Sequence, residues 1–127
     1  MMTVMAANAK RILVAYDGSK SAQRALDAAA DLVGYGSTLA VVRVHGPGQM
    51  NGSSVMDRAR EHLLRRQITA LYLEPAGEPA EKIVETAQAL ETDLVVIGRR
   101  RGDLRRAVGS VSAEVVRQAP CDVLVVR

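Results

Sequence analysis

A chain of 127 residues fits one domain and is long enough to bury a substantial core. Its 48% hydrophobic content comes mainly from Ala, Val, Leu and Ile; Phe and Trp are absent and Tyr occurs three times, which argues against an aromatic stacking platform for single-stranded nucleic acid. The formal charge of +3 is small but uneven, because Arg99, Arg100, Arg101, Arg105 and Arg106 fall within eight positions.

Residues 1–9 carry neither the basic start nor the long apolar run of a secretion signal and read as a flexible leader before a domain spanning 10–127. Residues 11–16 are a short apolar, β-branched run and predict a first strand. Ala22, Ala25, Leu26, Ala29, Leu32 and Val33 then recur at threes and fours, predicting a helix capped by Ser19 or Ser21 and stopped at Gly34 or Gly36. A second strand follows over 38–44, and a Gly- and Pro-containing connection over 45–52. Ser53 or Ser54 opens a second helix bearing Met56, Ala59 and Leu63. A third strand is expected over 68–73. Pro79, a favoured first-turn residue, starts a third helix through Ala80, Ile83, Val84, Ala87 and Leu90. Residues 93–97 form the fourth strand. The fourth helix carries Val111, Val115 and Val116 and ends before Pro120, and 122–126 form the fifth strand.

Strands alternating with helices call for right-handed parallel crossovers, hence an α/β domain with an open five-stranded parallel sheet covered on both faces. No stretch reaches membrane-spanning length. A lone Cys121 cannot close an internal disulfide, so the expected compartment is the reducing cytoplasm.

Open parallel sheets bind ligands beyond the carboxyl ends of strands, where strand order reverses. With the first strand central, that places Ala15, Tyr16 and Asp17 opposite Ile97 and Gly98. Asp17 is either a ligand contact or a helix cap, and Gly98 answers to close approach by a ligand or by a neighbouring loop. Gly109-Ser110 before a helix offers backbone N–H groups and a hydroxyl; it reads as an anion site or as a plain N-cap. The Arg run is a solvated face or an anion-attracting mouth. No catalytic constellation is present: His45 is a lone loop residue, His62 has no partner at metal-ligand spacing, and Cys121 reads as a small buried apolar group.

Three blocks resemble the universal stress protein family over residues 10–127. They are the opening ILVAYDGS at 12–19, the GEPA at 77–80 followed by Ile83 and Ala87, and the last third: DLVVIG at 93–98, GSVS at 109–112 and APCDVLVV at 119–126. The resemblance implies a Rossmann-like sheet of order 3-2-1-4-5 and a stress-response regulator without enzymatic turnover beyond slow ATP hydrolysis. It implies adenine-nucleotide binding, ATP with Mg2+ held mainly by the phosphates, at Ala15, Tyr16, Asp17, Val44, Ile97, Gly98, Arg101, Gly102, Gly109, Ser110 and Val111. It further implies a homodimer through Cys121 to Val126 and an unidentified protein partner. The chain departs from the family's Gly-x2-Gly-x9-Gly-[Ser/Thr] pattern, since Arg101 stands where the second Gly belongs, Gly102 follows one place later, and the span to Gly109 is two residues short. Because phosphate cradling depends on converging N–H groups, the shortening implies altered nucleotide contacts. The alternative function is a dimeric interaction module of the same fold without nucleotide. Nucleic-acid binding through the Arg run ranks last, for want of a reading helix and aromatic residues.

Overall fold

The computed structural model describes residues 9–46, 53–99 and 110–127. Five strands, β1 (Arg11–Ala15), β2 (Thr38–Val42), β3 (Leu71–Leu73), β4 (Leu94–Gly98) and β5 (Asp122–Val126), form one parallel sheet in the order 3-2-1-4-5. They are joined by α1 (Lys20–Leu32), α2 (Ser53–Arg65), α3 (Pro79–Ala89) and α4 (Val111–Gln118). The chain moves outward from β1 to β3, then returns across the sheet to β4. Right-handed crossovers therefore put α1 and α2 on one face and α3 and α4 on the other.

The period-2 pleat sorts the core accordingly. Val14, Val41 and Val96 face α1 and α2, where Leu26, Met56 and Leu63 meet them. Leu13, Val42 and Val95 face the opposite side, against Ile83, Ala87 and Val115. Central strands buried on both faces explain the unbroken apolar runs in the sequence. The Asp93 carboxylate pins the start of the central pair, accepting from the backbone N–H of Lys10 (3.1 Å) and of Arg11 (2.9 Å).

The structure differs from the sequence reading in several details, with β1 and β2 ending at Ala15 and Val42 and β4 spanning Leu94–Gly98. β3 begins at Leu71 because the preceding residues close α2: Gln67 adopts φ 60° and the Ile68 N–H returns to the Leu63 carbonyl at 2.9 Å. Ala9 is buried in the core and its carbonyl accepts the Ser37 hydroxyl at 3.1 Å. Val116, expected on the apolar face of α4, is 52% exposed.

The tightest junction lies between β4 and α1. A Cβ at Gly98 would sit 2.4 Å from the Ser21 carbonyl oxygen and 3.0 Å from the Ala22 nitrogen. Both are backbone atoms, which cannot rotate away, so any side chain there must push α1 off the sheet. Gly98→Ala is expected to lower stability by about 1–3 kcal/mol, read as a reduced urea midpoint at unchanged slope. A midpoint equal to that of the parent would show that α1 can shift without cost.

Candidate functional site

The last bond between β1 and β2 runs from the Tyr16 N–H to the Val42 carbonyl at 2.9 Å. Beyond it the chain turns into α1. Asp17 Oδ1 accepts the Ser19 N–H at 3.0 Å, Gly18 takes φ +84°, and the Ser19 hydroxyl caps α1 by accepting the Ala22 N–H at 3.1 Å. The helix cap is thus Ser19, and Asp17 instead folds the turn that precedes it. On the far side of the sheet, Glu78 caps α3 with Pro79 in its first turn, and the Ser110 hydroxyl caps α4 by accepting the Ala113 N–H at 3.1 Å.

These turns enclose a cleft of about 120 Å³ at the carboxyl ends of β1, β2 and β4. Its floor and walls are aliphatic: Ala15, Val42, Val44, Pro79, Ile83, Ile97 and Val111. Its polar groups gather along the α1 side, where Tyr16, Asp17, Ser19 and Ser21 line it. Ser21 is buried and its hydroxyl lies 3.3 Å from that of Ser19. The Tyr16 hydroxyl donates to Gln23 Oε1 at 3.2 Å. Burial pushes the Tyr16 phenol above its usual range; the Arg58 guanidinium works against this and Asp17 adds to it. An apolar slot with a few convergent polar groups is the usual form of a small-molecule site.

Seven residues singled out in the sequence, Ala15, Tyr16, Asp17, Val44, Ile97, Gly98 and Val111, line this cleft together. Ser110 caps the helix beside it. Arg101, Gly102 and Gly109 lie outside the described residues, as does the Arg run after Arg99. For Gly98 the close approach is made by the backbone of α1.

Pro79, Ile83, Ser19, Ser21, Ala22 and Val42 were not foreseen as lining residues. The signal for Pro79 and Ile83 was available, because the crossover from β3 back to β4 must carry the start of α3 across the ends of β2 and β1. For Ser21 the hint was its place two residues after the cap, on the side that meets Gly98.

The other candidate groups are placed elsewhere. The His45 backbone extends β2 toward Ala76, its N–H donating to the Pro75 carbonyl at 3.1 Å. His62 joins α2 to α1, with Nε2 at 2.5 Å from Asp27 Oδ1. Cys121 is half-buried, and burial followed by the nearby Asp122 pushes its thiol up, away from thiolate chemistry. Among the described residues no cluster of three or more His, Cys, Asp or Glu could hold a metal ion, and no helix is long and apolar enough to cross a membrane.

Residues 8–127 match the sequence model of the universal stress protein family. A universal stress protein of Thermus aquaticus, named for its position in a sulfhydrylase 3' region, is 36% identical over 93% of this chain and 98% of its own length. Among solved structures, a universal stress protein in complex with cAMP superposes with a TM-score of 0.77 at 24% identity, covering 94% of this chain and 97% of the other. A universal stress protein family member from Arabidopsis thaliana with AMP bound superposes at 0.71 and 15% identity, covering 92% and 90%. At these identities the two structures establish the shared fold.

Folding favours the protonated form of Tyr16, since burial raises its phenol above the ordinary value of 10.0. The associated stability is complete below pH about 10 and is lost as pH rises through the raised value. Tyr16→Phe should therefore shallow the fall of stability above pH about 10, leaving the parts due to Tyr72 and Cys121, whose phenol and thiol burial also raises. Denaturant melts across that range test this, and an unchanged alkaline limb would refute it.

Proposed function

The chain belongs to the universal stress protein family, and we propose that residues 10–127 form a single stress-response regulatory domain whose cleft takes an adenine nucleotide. The observation that carries this reading is the pairing of an aliphatic slot with a polar rim at the switch point of the sheet. The slot between Val44, Ala15, Pro79 and Ile83 suits a flat base. Asp17 and the hydroxyls of Ser19 and Ser21 suit a ribose, and the start of α4 at Ser110 and Val111 lies toward the phosphates. Arg101, Gly102 and Gly109 would complete the phosphate contacts. The cAMP and AMP held by two solved structures of this fold support the same ligand class. ATP, with Mg2+ carried mainly by its phosphates, is a further member of that class.

The domain acts as a regulator: occupancy alters stability and association, and turnover of ATP is slow at most. A single carboxylate, Asp17, lines the cleft among the described residues, and phosphoanhydride hydrolysis needs a positioned water as well as charge stabilisation. Association runs through β5, an edge strand whose Leu124 is 38% exposed, with Val116 of α4 52% exposed. That same edge favours a second reading, a dimeric interaction module without nucleotide.

Thermal melts separate the two. A ligand at 100 times its Kd adds about 2.7 kcal/mol to the native state, a rise of several degrees in a domain of this size. Millimolar AMP, cAMP or ATP with magnesium should produce such a rise, and Ala15→Leu, which fills the slot, should abolish it. A flat response to all three nucleotides sinks the nucleotide reading. For the edge, sedimentation at micromolar concentration should give a dimer that Leu124→Lys converts to monomer; a monomeric parent protein would exclude pairing through β5.

A further inference from the structure

The two helices on one face of the sheet, α1 and α2, meet along a ladder of polar side chains. On α1, Gln23, Asp27 and Asp31 stand four apart and share one face; on α2, Arg58 and His62 do the same, continued by Arg66 just past its end. The two stripes engage. His62 Nε2 lies 2.5 Å from Asp27 Oδ1, and Arg66 Nη2 donates to Asp31 Oδ1 at 2.7 Å. Arg66 Nη1 also reaches the Asp27 carbonyl at 3.5 Å. At the remaining rung Gln23 accepts the Tyr16 hydroxyl at 3.2 Å, and the Arg58 guanidinium is near enough to oppose the rise that burial imposes on that phenol.

This end of the ladder abuts the cleft. Val55 Cγ1 and Arg58 Nη2 fill the space beside Gly18, 3.1 and 2.7 Å from where its Cβ would stand. Gly18 takes φ +84° between Asp17 and Ser19, and these two, with Tyr16, line the cleft. His62 and Arg66 lie one and two turns further along, about 6 and 12 Å from Arg58 on the helix axis, and neither is among the lining residues. Met56, Ala59 and Leu63 seat α2 on the core. Apolar contact is non-directional, so the polar rungs fix where along α1 the helix comes to rest.

We propose that this ladder is a strap that couples the seating of α2 to the cleft, with His62 as a positioning residue acting through Arg58 and the Gly18 turn. Filling the cleft clamps α2 in place; loosening α2 frees the polar wall, since such coupling is reciprocal. The strap rests on the adenine-nucleotide reading above. The side chains of both ion pairs remain substantially exposed. Pairs so placed add little to global stability, which suits a helix that opens locally while the core stays folded.

Hydrogen exchange of the full chain, with and without AMP, tests this. At 100 times its Kd, AMP should slow the amides of α2 as well as those of the Gly18 turn, by about tenfold or more. His62→Ala should speed α2 exchange about two- to fivefold without ligand, and AMP should then protect the turn but no longer α2. His62→Gln, whose amide N–H can still donate to Asp27, should behave as the parent. Lys82→Ala, which breaks a comparably exposed pair on α3, should leave α2 exchange unaltered. AMP protection confined to the turn, or an α2 unaffected by His62→Ala, would overturn the strap and leave the nucleotide reading standing. Slowing shared equally by β1 would report whole-domain unfolding and count equally against the strap. No protection anywhere in the chain would overturn the nucleotide reading and the coupling built on it.

Discussion

The contact between the end of β4 and the first turn of α1 is the constraint from which the rest of the cleft follows. With no side chain at Gly98, the Ser21 and Ala22 backbone settles directly on the sheet. That contact brings the turn containing Asp17, Gly18 and Ser19 beside the ends of β1 and β4, and it sinks the Ser21 hydroxyl into the wall. A glycine at this point reads at first as a ligand requirement; here its absent Cβ makes room for protein. The cleft is a consequence of that packing, formed by what the helix leaves uncovered.

The cleft divides its chemistry by side. Its aliphatic wall comes from residues on the α3 and α4 face, part of the same set that fills the second core cluster. Its polar wall comes from the α1 turn, whose donors and acceptors are largely occupied with holding the turn itself. Most of these polar groups therefore already have partners that hold the wall in shape. A ligand seated there would gain affinity mainly by burying apolar surface against the aliphatic wall.

Much of this was legible in the residues. The alternation of apolar runs and helical periodicities carried the element order, and the unbroken apolarity of β1, β2 and β4 carried their burial on both faces. The positions of Tyr16, Asp17 and Gly98 at strand ends located the cleft. What the sequence concealed was settled by tertiary contact. Local pattern could not say that residues 68–70 would close α2 instead of extending β3, since their apolar side chains serve either role. Nor could it assign Gly98 to a helix backbone, because a glycine's reason lies in whatever approaches it. Arg58 was equally hidden: on a helix rich in charge, nothing local separates a residue packed on a distant turn from its solvated neighbours.

The two flanks of the sheet are unequal. β3 contributes three residues, with Arg60 stacked 4.2 Å over the Tyr72 ring and Arg43 joined to Glu74 just past its end. β5 is longer, five residues, and its Leu124 is 38% exposed. Both outer strands expose an aliphatic side chain, Leu71 of β3 at 52% and Leu124 of β5 at 38%, so neither border is closed to a partner by burial alone. At β3 the Arg60 guanidinium over the Tyr72 ring adds a charge beside the border, a device that discourages edge-to-edge pairing.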